Sequence, residues 1–352
     1  MKEKNSSGSD SDKSCRLGTV GGQAVIEGVM MKSKEMYALS VRLEDGSVKT
    51  TTGAVKSIRK KYKILNIPLV RGVVNFIEMM ILSYKTLMLS AEALGLDSEE
   101  ESKFERWLRE KFGKSIIDVM MVIATVLGVA LGFGLFFFLP IFITKTLDSA
   151  VGGIGWFKNL IEGVIKIAIF ILYIWATSFM KEIRRTFEYH GAEHKSIFCY
   201  ESGEPLTPEN VKKQIRFHPR CGTSFMFVML IISILIFSLP FITWDNMFLR
   251  WITKILMLPL VVGAGYEFIM FAGKHNNIFT RILSAPGLWM QRITTREPDL
   301  SQIEVAIASL KAALPNEFPV ENEIETENLS ETQNGIGSDS TQISGTAEDS
   351  PA

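Results

Sequence analysis

Apolar and polar positions along the chain fall into blocks. Four blocks, at about 116–144, 160–180, 224–242 and 251–272, stay apolar over the roughly 20 residues a helix needs to cross a bilayer. The first, built around VMMVIATVLGVALGFGLFFFLPIFI, has no internal charge. At the start of the second, Glu162 and Lys166 stand four apart and can pair on one helix face. A fifth block, 67–94, differs in kind. Arg71, Glu78, Lys85 and Glu92 recur every seven residues, close to two helical turns, so they form one polar stripe along an apolar helix. That pattern predicts an amphipathic helix lying in the membrane interface or against the bundle, with a re-entrant pair as the alternative. The remaining segments are short. YALSVRL and VKTTT, joined through Glu44-Asp45-Gly46-Ser47, predict a β-hairpin over 37–52 with a two-residue turn. Helices are predicted over 98–112, with Ser98 and Glu101 as a capping box, and over 301–314, with Ser301 and Glu304 in that role and Ile303, Ile307, Leu310 and Leu314 inward.

Composition sharpens this picture. Lys and Arg total 38 and Asp and Glu total 38, so the formal net charge is zero. The balance is uneven: residues 316–352 carry nine acidic groups and no basic one. That tail is also poor in large apolar groups, so 315–352 is expected to be disordered, as is the polar stretch 1–16. The latter shows no signal peptide. A mean hydropathy of +0.19 favours a membrane protein. Three cysteines, Cys15, Cys199 and Cys221, argue against a disulfide-stapled secreted domain. Lys and Arg are abundant before the first block, between the second and third, and after the fourth, and sparse elsewhere. The positive-inside rule then predicts four spans with both termini cytoplasmic, in the plasma membrane. A fifth span at 67–94 would put the basic SIRKKYK segment outside. The expected organisation is 1–16 disordered, 17–66 an N-terminal cytoplasmic segment with the hairpin, 67–115 the amphipathic or re-entrant helix plus a surface helix, 116–314 the four-span domain with a cytoplasmic loop at 181–223, and 315–352 the tail.

The chemistry gathers at one membrane face. The four histidines are His190, His194, His218 and His275, and three of them share the 181–223 loop with Cys199 and Cys221. YHGAEHKSIFCYE continues the second block as a helix, which puts His190 and His194, at i and i+4, on one face. Glu193 completes H-x-x-E-H, a pattern in which the carboxylate can serve as general base. FHPRCGTSF adds H-x-x-C, so His190, His194, His218 and Cys221 make a full tetrahedral ligand set for zinc or another divalent transition metal. Closed by all four, the site is structural; with three ligands and an open position, it is catalytic. Glu27, Arg71, Glu267, Arg220, Cys199 and His275 are candidates for substrate contacts or for supporting the ligands. Glu267 stands out as a carboxylate inside an apolar block, and pairing with a nearby Arg or Lys is its plainer role. GGQAVIEGVMM reads as a tight backbone turn packed under the bundle; it lacks the spacing of a phosphate loop. SAPGLWMQRITTREPD suits a helix on the membrane surface.

GGQAVIEGVMM, IPLVRGVVNFIE, YHGAEHKSI, HPRCGTSF and SAPGLWMQRITTREPD, in that order, resemble the YqhQ-like bacterial membrane proteins, catalogued as domain of unknown function 1385 and as predicted metal-dependent enzymes. The resemblance covers about residues 17–314, and His190, Glu193, His194, His218 and Cys221 match its signature positions. It implies a metal and an enzyme but names no substrate. The resulting expectation is an all-α integral membrane protein with a small N-terminal β-hairpin. It would act as a metal-dependent hydrolase on a membrane-proximal or lipid-linked substrate, with Glu193 as catalytic base. A non-enzymatic scaffold or assembly factor with a structural zinc is the alternative, and a transporter a weaker one. The expected partners are the lipid bilayer and that substrate, with no nucleic acid; a homo-oligomer is compatible.

Overall fold

The computed structural model describes residues 16–95, 115–239, 247–274 and 278–319. It is mostly helical, with one four-stranded antiparallel sheet near the N-terminus in the order β1 (Gly21–Val25), β2 (Gly28–Lys32), β3 (Met36–Arg42), β4 (Val48–Ala54). The expected hairpin is present as β3 and β4. Its connection is longer than two residues: Arg42 pairs with Val48, and Gly46 takes a φ of +84° in the loop between. GGQAVIEGVMM is not just a turn. It forms the second hairpin, β1–β2, with Val25 opposite Gly28 across Ile26 and Glu27. Its strands lack alternation for a physical reason: β2 is buried on both faces, so both faces select apolar groups.

The sheet lies between helical layers. On one side Val29, Met31 and Ala38 pack against α5 (Lys181–Glu201) and α11 (Leu300–Ala313) in a core with Tyr189, Ala192, Tyr200, Ile303 and Leu310. Each fully buried Ile or Leu there contributes about 1.5–3 kcal/mol. Ser309 of α11 accepts from the Met31 amide at 3.1 Å and donates to the Ala38 carbonyl at 2.9 Å, so the helix is also tied to the strands by hydrogen bonds. On the other side Val25, Met30, Tyr37, Leu39 and Val41 pack against Leu82, Leu89 and Leu94, the first two from α1 (Val70–Ala93) and the third just past its end. Helix α11 is capped by Asp299 and Gln302 in a reciprocal box, two residues earlier than the Ser301/Glu304 pair expected.

Among the described residues, three helices are long and apolar enough to cross a membrane: Val70–Ala93, Thr125–Val151 and Lys158–Thr177. The second comprises the end of α2 (Ser115–Phe133), a π turn (Gly134–Phe138) and α3 (Leu139–Val151). It runs seven residues past the expected end and stops at Gly152, whose φ of +78° makes a left-handed cap. The third is α4 (Lys158–Thr177). Further on, α6 (Pro208–Lys213) and the apolar α7 (Gly222–Phe237) follow α5. The fourth apolar block is not one helix but α8 (Met247–Leu256) and α9 (Leu258–Lys274), because Pro259 cannot donate the hydrogen bond that would carry the helix through. The apolar stretches Gly222–Phe237 and Leu258–Ala272 are shorter than a full span. The amphipathic α10 (Ile278–Thr294) then leads to α11. The predicted 98–112 helix lies outside the described residues. So does the tail from 320, but its start is anchored, contrary to the disorder expected from 315: Tyr200 Oη donates to Glu317 at 2.6 Å and Phe318 joins the core. At the other end, Arg16 pairs with Glu317 at 3.5 Å.

Sheet, α5 and α11 thus pack as one body although apolar helices separate them in sequence. At Gly191, an added Cβ would meet the Arg296 carbonyl oxygen at 2.0 Å. The same crossing is pinned by the Arg296 amide donating to Phe187 O at 2.8 Å. This close approach explains a glycine inside a buried helix. Gly191→Ala gains about 1 kcal/mol of helix propensity but forces the two backbones apart. Thermal unfolding in detergent is expected to show a net loss of about 1–3 kcal/mol.

Candidate metal centre

The site is built on α5. His190 and His194 sit one turn apart with ring centroids 4.4 Å from each other. Each ring is oriented by main chain. His190 Nδ1 lies 2.8 Å from the carbonyl of Thr294, the last residue of α10, and His194 Nδ1 contacts the carbonyl of Arg216. A carbonyl only accepts, so both Nδ1 atoms carry a proton and the two Nε2 atoms are left to face the site. His190 Nε2 faces Cys221 Sγ at 3.2 Å. His194 Nε2 is buried with no hydrogen-bond partner.

Cys221 caps the start of α7, its Sγ near the Thr223 amide at 3.4 Å and the Thr223 hydroxyl at 3.1 Å. The ligand atoms of His190, His194 and Cys221 lie within 4.8 Å of one another. Around a tetrahedral zinc, with bonds of about 2.1 Å to nitrogen and 2.3 Å to sulfur, such atoms are about 3.6 Å apart. The donor set, the tautomers and the orphaned Nε2 therefore fit a divalent ion. Burial alone would raise the Cys221 thiol, but His190 and His194 overcome it and hold it well below the ordinary value. In return His190 is pushed up to about 9: burial opposes the charge, and Cys221 and Glu193 prevail.

Glu193 is buried on the same helix, its Oε2 3.8 Å from His190 Nε2. Burial raises its carboxyl above the usual range despite the pull of both histidines and a hydrogen bond from the Gly22 amide. Gly22 is a contact that spacing does not reveal. A Cβ there would meet Met30 O at 2.8 Å and Glu193 Cγ at 2.9 Å, so only glycine lets β1 come this close to the carboxylate.

His218 is near but stands apart from the three-atom group. Its Nδ1 accepts from the Arg220 amide at 3.3 Å, and its Nε2 points toward Glu201, 3.7 Å away. Gln291 holds its main chain from both sides, accepting from His218 N at 2.7 Å and donating to His218 O at 2.8 Å. The four-ligand set expected from spacing thus contracts to three, with Glu193 the nearest further donor. Arg220 pairs with Glu201, which also receives the Gly18 amide at 2.8 Å. Despite burial, Glu201 is held below the usual carboxylate value by His218, Gly18 and Arg220.

Other candidates are engaged elsewhere. Glu27 does not reach the site; it pairs with Arg185 and accepts from Tyr189 Oη at 3.2 Å. Glu267 and Arg71 pair with each other through two hydrogen bonds, one of them 2.7 Å long. This is the plainer role for Glu267, and it leaves Arg71 neutralised. Cys199 lies in the core with its Sγ directed at the carbonyls of Glu204 and Pro205, and burial pushes it up to about 11. His275 lies outside the described residues.

A family model described as "Protein of unknown function (DUF1385)" matches residues 67–316. The "Uncharacterized protein YqhQ" of Bacillus subtilis (strain 168) is 35% identical over 295 residues, which is 84% of this chain and 92% of that protein. No solved structure matches.

The two buried thiols are expected to behave in opposite ways. After chelation, iodoacetamide at a pH below the ordinary thiol range should alkylate Cys221, whose thiol is held low by His190 and His194, faster than Cys199, whose thiol burial pushes up. Peptide mass mapping reads the outcome.

Proposed function

The chain belongs to the DUF1385 family, and we propose that it is a multi-pass membrane protein with a zinc-type centre, working as a hydrolase on a membrane-proximal or lipid-linked substrate. One observation carries this reading: both histidines spend Nδ1 on main-chain carbonyls, which leaves His190 Nε2 on Cys221 and His194 Nε2 buried without a partner. That is the tautomer and orientation that metal-binding imidazoles need.

In this reading His190, His194 and Cys221 hold the ion and leave one position open. A divalent cation there supplies Lewis acidity to a water and to a substrate carbonyl or phosphoryl oxygen. Glu193 accepts the proton released. Its burial suits a base that must work near neutral pH, and the Gly22 amide fixes its direction. Cys221 and His190 trade charge, so binding of a cation displaces the proton they share. The paired Arg220 and Glu201 steady the loop that carries Cys221.

The same reading takes α2–α3, α4, α7 and α8–α9 as four crossings, with the sheet, α5 and α11 in the cytoplasm. The distribution of Lys and Arg supports that side. A second reading has a specific observation behind it. His194 and Cys221 are 1% and 6% exposed. Ligands this enclosed also suit a structural ion in a scaffold or assembly factor.

Metal analysis of the detergent-purified protein, joined to complementation of a deletion strain, separates these. One zinc per chain is expected in wild type and in Glu193→Gln, and none in Cys221→Ser. Glu193→Gln is expected to lose complementation, in line with the roughly 10²–10⁴-fold contribution of a general base. Full complementation by Glu193→Gln would leave the scaffold. A wild type without metal, even after reconstitution with zinc, manganese or iron, would end both readings.

A further inference from the structure

The helix α1 is as apolar and long as a membrane span, yet its packing is that of a helix lying flat. We infer that α1 does not cross the bilayer but lies in the leaflet on the side of the sheet, and with the preceding segment forms a platform docked on lipid. This rests on α2–α3 and α4 crossing the membrane and is independent of the metal.

The first support is parity. The sheet precedes α1, and α5 follows α4, but sheet and α5 share one core. They are on the same side, so the number of crossings between them is even. The pair α2–α3 and α4 supplies two. Residues 96–114 carry eleven charged groups among nineteen, too many for a further crossing. A crossing by α1 would make three and pull the sheet away from α5.

The second support is what α1 touches. Three of the four charges in its polar stripe meet protein, Arg71 through Glu267 of α9. Glu78 accepts from Ser57 Oγ at 3.0 Å and from the Ile58 amide at 2.8 Å, and Lys85 sits 5.7 Å over the Tyr37 ring. Thr86 receives Gln23 of β1 at 2.9 Å, and Ser90 donates to Ile26 O. These contacts tie the second half of α1 to the sheet, while its start packs on α9, where Arg71 pairs with Glu267 and a Cβ at Gly72 would meet Tyr266.

The opposite face is bare and apolar: Ile77, Met80, Ile81 and Tyr84 are 51–68% exposed. Just before α1, exposed Ile58, Tyr62 and Ile64 alternate with the exposed Lys61 and Lys63. Apolar groups at one level with lysines beside them match an acyl boundary under a phosphate layer. The bare face adjoins the apolar helix α9, which packs on the start of α1 and itself exposes Leu258, Leu260, Met270 and Phe271, so the bilayer is its occupant.

The test uses the full chain in a Cys15→Ser background, with that parent as the blank. Lys61→Cys and Glu92→Cys bracket the helix at exposed positions. A membrane-impermeant maleimide, applied to intact and then permeabilised cells, should find both on the same side. In liposomes, a nitroxide at Ile81→Cys, repeated at Met80→Cys, should report a depth of about 5–10 Å from oxygen and nickel accessibility. Labelling from opposite sides, or a nitroxide at the bilayer centre, would overturn the inference. So would a nitroxide shielded from both reagents, which would mean a second copy of the chain covers this face. Zinc content is expected to be unchanged in all four variants, so a failure here is separable from a failure of the metal reading.

Discussion

Two imidazoles anchored to main-chain carbonyls set the geometry on which the rest depends. A histidine side chain alone could turn either nitrogen toward Cys221. The carbonyls of Thr294 and Arg216 remove that choice. They belong to the end of α10 and to the loop before α7, so the two segments must dock on α5 before the site exists. The docking is close: Gly191 admits the Arg296 carbonyl, and Gln291 clasps the main chain of His218. The polar network beneath the three ligand atoms is therefore also what holds α5, α7 and α10 together. Buried polar groups of this kind are favourable only when matched. Among the described residues His194 Nε2 and His218 Nε2 are buried without a hydrogen-bond partner, and a cation held by His194 would satisfy the first.

The sheet plays a supporting part for the same helix. Its β1 edge brings the Gly22 amide to Glu193, and its two faces are closed by α11 and α1. Because its strands, α5 and α11 come from three places in the chain, their shared core restrains the path of every apolar helix between them. Membrane topology and site assembly are thus one problem. The segment that carries the ligands emerges from α4, and the segment that orients them returns through α10.

Much of this was legible in the residues, and the failures have physical causes. H-x-x-E-H on a helix and H-x-x-C on a turn already grouped His190, Glu193, His194 and Cys221, and the structure brings the ligand atoms of His190, His194 and Cys221 close together, because i,i+4 spacing is a local rule. His218 was grouped with them by proximity in sequence, but its ring is turned by the Arg220 amide and faces Glu201. Glu27 is a candidate for the site by its place in an apolar stretch, and the structure gives it Arg185 and Tyr189 as partners instead. Gly22, Thr294 and Arg216 act through main-chain atoms, which no side-chain pattern marks. The β1–β2 hairpin was hidden because a strand buried on both faces loses its alternation. Helix α1 reads as amphipathic from its seven-residue charge repeat, while length and hydropathy put it among the candidate spans.

The central claim is that His190, His194 and Cys221 bind one ion together. X-ray absorption at the zinc edge on the reconstituted full-length protein tests it most directly. Two nitrogen neighbours at about 2.0–2.1 Å and one sulfur at about 2.3 Å, with the sulfur shell absent in Cys221→Ser, are the expected result. A wild-type zinc shell made only of nitrogen and oxygen, or one unchanged by the loss of Cys221, would contradict the account.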